Sequence, residues 1–74
     1  MLVGDFIHND EFFFNADYAI YECDENTVWN EVEKPIYSTA KNGCSRPPAT
    51  ILDLKVTYMT IHDDTLIIEV EERF

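Results

Sequence analysis

Glycine is nearly absent from this 74-residue chain, with Gly4 and Gly43 the only two. A phosphate-cradling loop needs several glycines at close spacing, so no Gly-rich nucleotide site can be built here. Lysine and arginine are missing altogether from residues 1–33. Direct binding of a nucleic-acid backbone, or of an anionic membrane, needs a basic patch, and both are disfavoured. No run approaches the ~20 apolar residues of a transmembrane helix. Met1-Leu2-Val3-Gly4-Asp5 carries neither the basic start nor the apolar stretch of a signal peptide. The chain is therefore expected in the cytosol, with Cys23 and Cys44 reduced. Two cysteines so far apart make no metal motif.

What the chain does have is apolar residues and acid. Hydrophobic residues make up 46% of it and aromatics 14%, which is too apolar for disorder. Residues 1–74 are read as one small domain. A domain of this size buries only roughly 60–65% of the surface its unfolded chain exposes. A core fits in it, but a core together with a deep substrate pocket does not fit easily. Fifteen acids oppose five bases, for a net charge of −10. The charge is unevenly spread: residues 1–33 carry −9, residues 34–58 carry +3 and residues 59–74 carry −4. A basic protein surface is the complement of such a chain.

The clearest local signal is residues 54–70, two β-rich runs flanking His62-Asp63-Asp64-Thr65, which read as a β-hairpin. With Asp63-Asp64 as a two-residue turn, Ile61 faces Leu66, Met59 faces Ile68 and Thr57 faces Val70. That apolar set is expected inside, with Ile61, Leu66, Ile68 and Val70 buried. Val56, Tyr58, Thr60, Ile67, Glu69 and Glu71 take the other, half-covered face. A three-residue turn would exchange the faces and bury Tyr58 and Thr60 instead.

Upstream, residues 1–11 predict an edge strand or irregular arm. Residues 12–23 are β-rich, with Phe12, Phe14, Ala16, Tyr18 and Ile20 on one candidate core face. Asp24-Glu25-Asn26 is a turn, and residues 27–32 predict a strand pairing back on residues 18–23. Lys34-Pro35 interrupts that ladder, since proline donates no N–H, and residues 36–39 resume it. Pro47-Pro48 hold the 40–49 connection extended. The expected fold is all-β and mostly antiparallel: a small meander sheet or partly open barrel of about four to six short strands. Helix is limited to at most one short turn near residues 50–54, capped by Thr50.

Chemistry is hard to place on this pattern. Fifteen acids make chance carboxylate pairs inevitable, and a catalytic acid needs burial to raise its pKa. A Cys44 nucleophile served by His8 or His62 has no recognisable local setting. His8-Asn9-Asp10 and His62-Asp63-Asp64 supply too few ligands for a calcium or transition-metal site. The sequence thus predicts no catalytic residue, no metal and no cofactor. Bases stacking on the aromatics would need basic neighbours. Trp29 shares its parity with Glu31 and Glu33, and is either a packed sheet residue or an interface anchor.

The run Asp5-Phe6-Ile7-His8-Asn9-Asp10-Glu11-Phe12-Phe13 on to Tyr21, with Ile36-Tyr37-Ser38-Thr39 and the closing strand 66–70, resembles small acidic proteins of phages and mobile elements. Many of these are of unknown function. Some inhibit host defence nucleases, in part as acidic mimics of DNA. The resemblance transfers no functional residue. The charge pattern itself leads to the expectation of a non-enzymatic acidic binding protein that docks on a basic surface of a partner, with a nucleic-acid-mimicking, anti-defence inhibitor as its sharper form. Its partner-binding surface is then expected from Asp10, Glu11, Asp17, Glu22, Asp24, Glu25, Glu31 and Glu33, with Trp29 as an apolar anchor. Acidity that serves solubility alone would leave the same charge pattern. A β-rich chain of this size also suits an adaptor domain that associates through an exposed sheet edge.

Overall fold

The computed structural model describes residues 1–7, 16–43 and 47–71. Its centre is a four-stranded mixed sheet of strands β1 (Asp17–Cys23), β2 (Tyr37–Ser38), β3 (Val56–His62) and β4 (Thr65–Glu71), in the order β2-β1-β4-β3. Three single-turn helices, α1 (Val3–Phe6), α2 (Thr39–Asn42) and α3 (Ala49–Leu52), and a 3₁₀ turn at Trp29–Glu31 complete the described fold.

The hairpin forms as the sequence pattern predicts. Ile61 lies opposite Leu66 and Met59 opposite Ile68. Asp63 and Asp64 both adopt positive φ, 52° and 61°, the left-handed pair that a two-residue turn requires. Two details differ. Thr57 forms a bulge, so Val70 faces Val56 rather than Thr57. The extra residue returns Val56 to the core side, and the Thr57 hydroxyl donates to the Glu69 carbonyl at 3.2 Å. Ile61 is not buried but 72% exposed, because an edge strand is covered by a neighbour on one side only.

The sheet is not a meander. β1 pairs in parallel with β4 over its whole length, from Asp17 opposite Thr65 to Cys23 opposite Glu71. The physical reason lies in β4, where Leu66 to Val70 are all buried and so occupy both faces of a central strand. Neither β2 nor β3 closes on the other, so the sheet is open rather than a barrel. β2 pairs antiparallel to β1, which places a strand within residues 36–39 as expected. Residues 27–32 form no strand: Trp29–Glu31 wind into the 3₁₀ turn instead. Helix is not confined to residues 50–54 either. α3 begins at Ala49 behind Pro48, not Thr50, and α1 and α2 stand where the sequence pattern predicts no helix.

One face of the sheet holds the core. Tyr18 and Ile20 of β1, Leu66, Ile68 and Val70 of β4, and Tyr37 pack with Val3, Ile7, Ile51, Leu52 and Leu54 from α1, α3 and their flanks. Tyr18 and Ile20 thus occupy the face predicted for them, whereas Ala16 is exposed and Phe12 and Phe14 lie outside the described residues. The N-terminus is tied down by backbone bonds from Val3 N–H to Leu54 and from Val56 N–H to Met1. α1 fits closely under α3, since a Cβ on Gly4 would lie 3.2 Å from the Leu52 carbonyl oxygen.

Candidate functional site

The second face of the sheet carries the chemistry. Alternation puts Tyr21 and Cys23 of β1, Glu69 and Glu71 of β4, and Tyr58 and His62 of β3 on this side. Register brings Tyr21, Glu69 and Tyr58 into one row across three strands. The connection from β1 to β2 folds back over that row. Its 3₁₀ turn sets the Trp29 ring 5.7 Å from Tyr21 and 5.1 Å from His62.

Two carboxylates hold this turn in place. Its leading N–H groups have no backbone acceptors within the turn and need side-chain ones. Val28 N–H donates to Glu31 Oε1 at 3.2 Å, and Trp29 N–H donates across the sheet to Glu69 Oε2 at 3.1 Å. Upstream, Asp24 forms its own turn, with Asn26 N–H donating to Asp24 Oδ1 at 2.8 Å. Hydrogen bonds from the Thr27 hydroxyl and then the Asn26 N–H hold the Asp24 carboxyl below its ordinary pKa.

Between the turn and the sheet lies an open groove of about 870 Å³. Trp29, Val28 and Tyr58 supply its aromatic and apolar wall, and Asp24, Glu25, Glu69 and Glu71 its carboxylates. Tyr58 is 52% exposed, whereas Glu69 is only 8% exposed. Trp29 is neither a core residue nor free-standing: it is half-buried and forms part of the groove wall.

The expected partner-binding residues do not form one patch. Asp24, Glu25 and Trp29 line the groove, and Glu31 and Glu33 stand exposed on the same connection. Asp17 sits at the far end of β1, about 20 Å away at the usual rise per residue. There it accepts from the Thr39 hydroxyl at 3.0 Å, beside the end of the sheet that carries the Asp63-Asp64 turn. Glu22, opposite Val70, alternates onto the core side of the sheet. Asp10 and Glu11 lie outside the described residues, as do His8, Cys44 and Arg46.

Sequence reasoning misses Glu69, Glu71 and Tyr58. The visible clue is Glu69 itself, one acid set into Leu66-Ile67-Ile68-Glu69-Val70. Near the turn, His62 Nε2 lies 3.3 Å from Asp63 Oδ2. Among the described residues no cluster of three or more His, Cys, Asp or Glu could hold a metal ion, and no helix is long and apolar enough to cross a membrane. In comparison with known proteins, no family model, curated protein or solved structure matches this chain.

Proposed function

We propose that this protein is a non-enzymatic binding protein of the cytosol whose acidic face docks on a basic surface of a partner protein. In its sharper form it is a nucleic-acid mimic. Carboxylates on the β1–β2 connection and on β4 occupy lysines and arginines that otherwise hold phosphates, which blocks a nuclease or another DNA-binding protein. The anti-defence role suggested by the likeness to small acidic phage proteins belongs to this form. The observation that carries the reading is the gathering of Asp24, Glu25, Glu69 and Glu71 around one groove, with Glu31 and Glu33 exposed on the same connection.

The test uses capture from a cell lysate by immobilised protein at low and high salt. Wild type is compared with a variant carrying Asp24→Asn, Glu25→Gln, Glu31→Gln and Glu33→Gln. These replacements keep acceptors for the turn while removing four charges. Wild type should retain DNA-binding proteins at low salt, release them at high salt and lose them to added duplex DNA. The variant should fold and retain fewer of them. Equal capture by a folded variant would leave solubility as the role of the acid and end the mimic reading.

A second reading draws on β3. From Val56 to His62 this edge strand holds no Lys, Arg, Asp or Glu, and Tyr58 and Ile61 stand exposed on its opposite faces. The N-terminal segment takes the Val56 end of this edge, through Val56 N–H to Met1, and the edge beyond it suits pairing with another strand. Sedimentation of the concentrated protein separates the two readings, since edge pairing between copies would give a dimer.

A further inference from the structure

Glu69 is the most buried of the acids that line the groove. The residue is 8% exposed, and among the described residues its carboxylate accepts one hydrogen bond, from Trp29 N–H, with no cation within ion-pairing distance. Its second oxygen is not among the buried polar atoms that lack a partner: it is accessible to solvent and so open to a ligand in the groove. The groove it lines is open to solvent, walled by the Trp29 and Tyr58 rings and rimmed by Asp24, Glu25 and Glu71. Aromatic faces beside a carboxylate attract an organic cation. A planar guanidinium suits them better than an ammonium, because it stacks on rings while donating a pair of parallel N–H bonds.

We infer that the groove receives an arginine side chain of the partner protein, with the guanidinium seated on Glu69 between Trp29 and Tyr58. The inference rests on the acidic-docking reading and names the group that the docking seats.

Trp29 is the sole tryptophan, so its emission reports the groove directly. The probe is a blocked Gly-Arg-Gly peptide, set against its lysine and citrulline counterparts. The arginine peptide should shift Trp29 emission saturably, the lysine peptide should bind several-fold more weakly and the neutral citrulline peptide should have no effect. Glu69→Gln keeps an acceptor for Trp29 N–H and should weaken the arginine peptide about tenfold, the scale of losing one charge-assisted hydrogen bond. Tyr58→Ala, at an exposed position on the edge strand, should weaken it several-fold and decides the matter if Glu69→Gln does not fold. Equal binding of arginine and lysine peptides, or arginine binding unchanged in the folded variants, overturns the inference. An oligo-arginine peptide separates that failure from a broader one. If it binds in a salt-dependent way but leaves Trp29 emission unchanged, the seat is wrong and acidic docking stands. If it does not bind at low salt, both fall.

Discussion

Replacing Ile68 and Ile61 by alanine, one at a time, tests how the hairpin is seated on the core. Both belong to the apolar face of the same two strands, and the sequence pattern places both inside. Ile68 is 0% exposed at the centre of β4, opposite Met59 and beside Ile20 of β1. Ile68→Ala removes three buried carbons at about 0.8 kcal/mol each, about 2.4 kcal/mol in transfer alone. The cavity left behind raises the total towards about 4 kcal/mol, since the surroundings collapse only in part. A domain of this length has roughly 4–11 kcal/mol of stability in all, so the variant stands near unfolding. Ile61, 72% exposed, retains about a quarter of that transfer term, roughly 0.6 kcal/mol, plus a small loss of strand preference. Urea unfolding followed by circular dichroism gives both numbers, with the slope checking that the unfolded state is unchanged. Similar losses at the two sites, or a loss below about 1 kcal/mol at Ile68, would refute this seating of the sheet.

Two further predictions concern the supports of the fold. Gly4→Val pushes a branched side chain against the Leu52 carbonyl and should loosen α1 from α3, at roughly 1–3 kcal/mol. Hydrogen exchange should then quicken at Val3 and Val56, whose N–H groups bond Leu54 and Met1. Asp24 has a lowered folded-state pKa, so its contribution to stability is present above the ordinary Asp range and is lost as pH falls through the lower folded value. A carboxyl titration by NMR should place its midpoint below the ordinary Asp value, and Thr27→Val should raise it towards that value.

By itself, the sequence determined what local chemistry can determine. Apolar alternation about Asp63-Asp64 set the hairpin and most of its register, because side-chain period and turn length fix pairing between adjacent strands. The parity of Tyr18 and Ile20 set one core face of β1. The acidic bias set the kind of partner proposed, since net charge needs no fold to be counted. What the tertiary structure decided was every relation between distant segments. β1 lies beside β4 because a strand buried on both sides, Leu66 to Val70, is most stable between two neighbours, and nothing local in β1 names which strand that is. Val28-Trp29-Asn30-Glu31 alternates like a strand, yet it turns as a 3₁₀ segment because Glu69, forty residues away, accepts the Trp29 N–H. The bulge at Thr57 and the exposure of Ile61 follow from place in the sheet rather than from residue type. The groove belongs to the same class: Trp29, Tyr58 and Glu69 come from three separate stretches, and only the fold brings an aromatic wall to a buried carboxylate.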